Sequence, residues 1–301
     1  PLTFIIRHIF FKLGGVSLWT LRLPFALAGI GSVYLIYLIG RQLFNARESV
    51  QLPNRRSLFS WLNRSQLVGL LAAGLLAIND YHVWVSRIGL MESIVIFFIL
   101  LTVYLFLKAL EKPIYFIFTG LAFGLALLSK YMAFVLLPIF LLYLLILRRD
   151  IFKNKYLYIG ALIALVLFSP VILYNFQLYA AQGHFDYQFS FRLLGQEVPD
   201  WKFRQFNVGM DQSESLNERL QGLLPAIWRG LTPSFSMVAL FALLFIIYQL
   251  IKKIHNNNAR SLWFLIISLL FYLLLFVAIG PRERFVSLIV PFLVLLVSYF
   301  L

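Results

Sequence analysis

Between Asn79 and Ser93 the chain reads Asn-Asp-Tyr-His-Val-Trp-Val-Ser-Arg-Ile-Gly-Leu-Met-Glu-Ser, which sets Asp80, His82, Arg87 and Glu92 between two long apolar runs. Ionisable groups at a membrane boundary are expensive to desolvate. Such a cluster marks either a functional site facing water or a cavity, or a charged interfacial loop. Glu92 stands just before an apolar run and has two readings. It can complement the N-terminus of a helix, or it can orient and deprotonate an acceptor hydroxyl as the catalytic carboxylate. Arg22, Arg87, Lys130, Arg282 and Arg284 fall at or near helix ends expected on the same side of the membrane. Gathered around one cavity, they would bind a phosphate by charge-assisted hydrogen bonds, arginine in bidentate fashion. Singly, each also fits a side chain snorkelling to lipid head groups. His82 beside Trp84 fits a packed interfacial histidine, and His184 with Asp186 resembles a metal pair in spacing alone, so no metal site is assigned. With no glycine-rich phosphate loop, HExxH or nucleophile elbow, nucleotide and protease chemistry of the soluble kind has no support.

The elements that must position these groups follow from composition. Of 301 residues, 61% are hydrophobic, well above the half expected of a soluble domain. Runs such as Ile94 to Leu107 have little polar interruption and no alternation. Hydrocarbon leaves backbone groups no water to bond, so the expected fold is all-α: a polytopic bundle of about nine spans, read as one domain over 1–301. The net charge of +14 would suggest nucleic acid in a soluble protein. Here it reads first as basic cytoplasmic loops and second as binding of an anionic ligand, with no nucleic-acid partner. Without cysteine there is no thiolate or disulfide chemistry. No cofactor is implied by the residues, and a divalent ion stays open.

Taken in order, Pro1 to Leu13 reads as an interfacial helix with Arg7, His8 and Lys12 near one face, broken at Gly14-Gly15. Spans are expected at Leu18 to Phe44, Leu67 to Ile78, from Ile94, Tyr115 to Leu128, Ala133 to Leu147, Tyr158 to Tyr174, Ser236 to Ile251, Leu262 to Ile279 and from Phe285. Gly120 and Gly124 make a small-residue packing face. Residues 175–233 form one long polar segment, expected as an outer loop with functional or lid character. The inner ends and loops hold 14 of the 26 lysines and arginines in less sequence than the outer ones, which places Glu92 and the five cations outside. An inner (cytoplasmic) membrane protein with an outward-facing site is the expectation.

Several stretches resemble one family. Pro1-Leu2 with its interfacial helix, Leu21-Arg22-Leu23-Pro24 and Gly40-Arg41-Gln42-Leu43-Phe44 are similar to the start of polyprenyl-phosphate-sugar-dependent membrane glycosyltransferases. These are the GT-C-fold proteins of the dolichyl-phosphate-mannose protein mannosyltransferase and aminoarabinose transferase type (glycosyltransferase family 39). The resemblance continues through Ser86-Arg87 with Glu92, through Gly120 to Ala126 leading to Lys130, and into Arg284-Phe285 with Pro291. It implies an inverting transfer of a hexosyl or pentosyl group from a polyprenyl-phosphate sugar to a lipid, glycan or protein hydroxyl at the outer face. It implies that Glu92 takes a later acidic position, where aspartate is more usual, that Lys130, Arg284 and Arg22 match the family's basic positions, and that its main catalytic aspartate lies N-terminal to this chain. Two other functions use the same features: a polymerase or ligase of lipid-linked polysaccharide, and a transporter or flippase without bond chemistry. The latter calls for polar groups at the bilayer midplane and broken helices in matching halves.

Overall fold

The long apolar runs fold as helices, the one spanning form in which every backbone group is satisfied within its own segment. The computed structural model describes residues 1–45, 63–186, 189–190, 216–252, 259–280 and 283–301. The expectation on Arg282, part of the basic inner loops and much of the polar segment 175–233 lie outside them. Among the described residues there is no strand.

Helix α1 (Leu2–Gly14) ends at Gly15, whose φ of 72° suits glycine alone. Ser17 and Thr20 then form a capping box that starts α2 (Leu18–Leu43). Next come α3 (Arg64–Ala77) and α4 (Asp80–Arg87), bent by 58° at their junction, then α5 (Met91–Ala109) and α6 (Tyr115–Ser129). A 3-10 turn (Tyr131–Val135) leads into α7 (Leu136–Leu147), and a second (Arg149–Lys153) precedes α8 (Lys155–Gln182). The chain closes with α9 (Leu216–Gly230), α10 (Pro233–Ile251), α11 (Ala259–Ile279), α12 (Glu283–Val286) and α13 (Val290–Phe300). Among the described residues five helices (α2, α5, α8, α10, α11) are long and apolar enough to cross a membrane, or six if the bent α3–α4 pair is one span. The expected nine are reached only when the shorter apolar helices α6, α7 with its 3-10 lead, and α13 are counted as well.

Two expected boundaries move. Helix α8 runs through Pro170 and does not stop at Tyr174 but continues two turns further, to Gln182. The proline cannot bond the carbonyl of Val166, and the Ser169 hydroxyl donates to that oxygen instead, at 2.7 Å. The polar segment 175–233 is correspondingly less loop-like, with its first residues in α8 and Leu216–Gly230 forming α9.

Helix α6 packs on both α5 and α8, and α2 on α3 and α5. At the α6–α8 crossing Gly120 and Gly160 face each other so closely that a methyl on either would overlap the opposite backbone. The small-residue face read from the sequence is this contact. Phe106 of α5 stacks on Phe140 of α7 at 3.9 Å and meets the ring of Tyr143 edge-on. One end of the bundle collects the basic groups: Arg148 donates to the Leu110 carbonyl, Gln42 to Glu111, and Arg64 lies over the Tyr299 ring. The ends of α4 and α6 and the start of α5 lie at the other.

Candidate functional site

Glu92 occupies the first turn of α5 and is 3% exposed. Its burial follows from the corner before it, where Gly89 takes a φ of 76° and turns the chain out of α4. Lys130 ends α6 in an extended conformation (φ −163°, ψ 135°), which turns its side chain off the helix axis. Its Nζ donates to Glu92 Oε1 at 2.6 Å. The same ammonium lies 4.9 Å from the ring centroid of buried Phe285, and the Arg284 guanidinium lies 4.9 Å from that centroid too. The two cations are therefore no more than 9.8 Å apart.

Of the residues singled out by sequence, the fold thus brings Glu92, Lys130 and Arg284 together around one aromatic ring. Arg284 is exposed beside a half-buried Lys130, so the group has a dry side and a wet side. Arg22 and Arg87 are exposed and form no ion pair with a described residue. Arg282 lies outside the described residues. His82 is the packed histidine that its neighbours suggest: it is 4% exposed, and its Nε2 lies 3.1 Å from the Gly29 carbonyl. The seam continues through Ser86, which donates to the His82 carbonyl, and Ser93, which donates to the Phe25 carbonyl. These bonds tie α4 and the start of α5 to α2, and so hold Glu92 in place.

Sequence reasoning missed three contributors. Arg7 of α1 lies apart from exposed His8 and Lys12. It reaches inward, stacks on Phe25 and donates to the Gly89 carbonyl at 2.7 Å, bracing the corner before Glu92. Phe285 stands out in the sequence only as Arg284's neighbour. Tyr131 donates to Asp186 Oδ2 at 2.8 Å, with Asn175 bonded to the same carboxylate. Asp186 is engaged there rather than beside His184, whose Nδ1 lies 2.7 Å from the Phe185 carbonyl. The described residues hold no cluster of three metal-ligating side chains. Nothing local separates Arg7 from His8 and Lys12, and nothing local marks the other two.

A carboxylate paired with a lysine, beside an exposed arginine, can exchange partners. An incoming anion competes for the ammonium, and the carboxylate is then free to take a proton.

Comparison with known proteins gives this site a setting. A sequence profile of the family described as dolichyl-phosphate-mannose-protein mannosyltransferase matches residues 1–52 and 58–174. Two proteins of Bacillus subtilis (strain 168) with a provisional mannosyltransferase name are relatives. YkcB is 29% identical over 52% of this chain and 19% of its own length, and YycA is 32% identical over 58% and 22%. The matched stretch spans about a fifth of each of these relatives. In architecture the chain is similar to crystal structures of ArnT from Cupriavidus metallidurans. The apo form aligns with a TM-score of 0.62 at 14% identity, and the form bound to undecaprenyl phosphate with 0.60 at 15%. Each alignment covers 99% of this chain and about half of ArnT, 48% and 49%. The chain belongs to the dolichyl-phosphate-mannose-protein mannosyltransferase family of membrane glycosyltransferases, and its fold is the GT-C fold of that family and of ArnT.

Proposed function

We propose that this chain carries the donor-binding part of an inverting glycosyltransferase. It would move a sugar from a polyprenyl-phosphate carrier to an acceptor hydroxyl at the outer face of the cytoplasmic membrane. The observation that carries the reading is the buried Glu92–Lys130 pair with Arg284 beside it. In the resting arrangement Lys130 is neutralised by Glu92. A donor phosphate entering between Lys130 and Arg284 takes over the ammonium, and Glu92 is released to accept the proton of the acceptor hydroxyl. The bond between the anomeric carbon and the phosphate oxygen breaks as the acceptor oxygen attacks from the opposite face. The departing lipid phosphate keeps its electron pair under the two cations, where stabilisation of developing charge is strongest in a partly dry site.

An apolar cleft of about 300 Å³ supports a lipid-linked donor. Phe134 and Phe168 line it, and Phe168 packs against Tyr131, the residue after Lys130, so a carrier chain has an apolar place to lie beside its phosphate. ArnT has been crystallised with undecaprenyl phosphate, which supports a polyprenyl-phosphate partner. The density of basic groups at the opposite end supports the outward orientation.

The test is sugar transfer from synthetic polyprenyl-phosphate sugars by the full-length protein, beside Glu92→Gln and Lys130→Ala. Turnover is expected to fall about 10²- to 10³-fold in each variant with folding intact. Transfer unaffected by either change removes this site from the reaction. No turnover with any donor favours the transporter reading.

A further inference from the structure

Lys130 is the only residue between α6 and the 3-10 turn, and it is extended. Its side chain is therefore aimed by the way those two pieces meet, not by a continuous helix. The second piece is held through Tyr131. That ring packs against Phe168 of α8 and Phe189, at centroid distances of 5.9 and 5.3 Å, and its hydroxyl donates to Asp186 Oδ2. Asp186 is itself immobilised. Asn175 Nδ2 donates to Oδ2 at 3.3 Å, the Phe189 amide donates to Oδ1 at 3.0 Å, and the Asp186 amide donates to Asn175 Oδ1 at 2.9 Å. Asn175, 5% exposed, is anchored in turn by its bond to the Val171 carbonyl. A carboxylate with this many fixed donors is a rigid post, because rotation of its plane would break several bonds at once.

We propose that Asp186 is a positioning residue for Lys130. Through the Tyr131 hydroxyl it sets the rotation of the turn that aims the ammonium, first at Glu92 and then at the donor phosphate. The second half of this statement rests on the donor reading given above; the first half does not. Misplacement of a binding group by about 1 Å can lower a rate about a hundredfold, so a bond remote from the substrate can matter to it.

Two measurements on the full-length protein separate the halves. The first is binding of undecaprenyl phosphate to Tyr131→Phe, Asp186→Asn and their combination, each also made in a Lys130→Ala background. Affinity is expected to fall about tenfold in either single variant, no further in the double, and not at all once Lys130 is gone. The second is acylation of Lys130 by a lysine-specific reagent, read by mass spectrometry, which is expected to speed up several-fold in both single variants. Unchanged acylation overturns the proposal. So does an affinity loss that persists in full in the Lys130→Ala background, since the network would then be a structural tie alone. Faster acylation in a protein that binds no undecaprenyl phosphate keeps Asp186 as the post for Lys130 and sinks the donor reading instead.

Discussion

Two ion pairs of the same chemistry stand at opposite ends of this bundle. Arg148 and Asp150, two residues apart between α7 and α8, meet at 2.9 Å with 23% and 63% of their side chains exposed. Glu92 and Lys130, on α5 and at the end of α6, meet at 2.6 Å with 3% and 18% exposed. Water screens the first pair, so it contributes little to stability. Arg148 also donates to the Leu110 carbonyl, where α5 ends. The second pair has lost most of its hydration, and attraction offsets that loss only through close geometry. Apolar residues of similar volume often serve stability as well or better. Stability therefore gives little reason for charge at Glu92 and Lys130, whereas the proposed anionic donor, by taking over one partner, would.

That contrast can be broken at several points. The largest effect is expected from Glu92→Gln or Lys130→Ala. Besides the loss of transfer, each leaves one member of a buried pair without its partner and destabilises by about 3 kcal/mol. A Glu92→Leu/Lys130→Met double variant should regain the thermal unfolding midpoint but not the activity. Recovery of both would show the pair to be a packing feature. Next comes Gly120→Leu, which forces α6 and α8 apart at their backbone contact. Overpacking there should lower stability by about 3 kcal/mol and disturb the Lys130 end of α6, read as a lower midpoint and weaker donor binding. Arg7→Ala removes the charged bond to the Gly89 carbonyl. A loss of about 1.5 kcal/mol is expected, with faster amide hydrogen exchange at the corner before Glu92. The smallest effect belongs to Arg148→Ala and Asp150→Asn, which should leave the midpoint within error at neutral pH. The bond from Arg148 holds the Asp150 carboxyl below its ordinary range. Whatever it contributes is thus present above the ordinary aspartate pKa and fades as the pH falls through the lowered one. A midpoint shift at pH 7 as large as that of the buried pair would erase the comparison.

Much of the fold is legible along the chain. Ile94 to Leu107 has to be helical, Gly14-Gly15 has to end α1, and the Gly120–Ala126 stretch advertises a close helix crossing, because each depends on a residue's own backbone preferences or on the face it shares with near neighbours. The end expected at Tyr174 was wrong for a related reason: the apolar run stops there, while the helix continues to Gln182. At the site, the residue types and the end of the bundle where they gather could be read. Which of five cations act together could not. Arg22 and Lys130 look alike as lone charges at helix ends, yet one is exposed without an ion pair among the described residues and the other pairs with Glu92.

Composition, hydrophobic run length and the placement of basic loops were thus enough for a helical membrane bundle with an unexplained cluster of charge at one end. Those properties are carried by each segment separately and survive whatever the segments pack against. The partnerships of Lys130 with Glu92, Arg7 with the Gly89 carbonyl and Tyr131 with Asp186 join residues 38, 82 and 55 positions apart. No local preference specifies such distances. They are decided when α6 closes on α5 and α8 and when α1 packs beside the corner between α4 and α5, because only then does each polar group meet the partner that replaces the water it has lost.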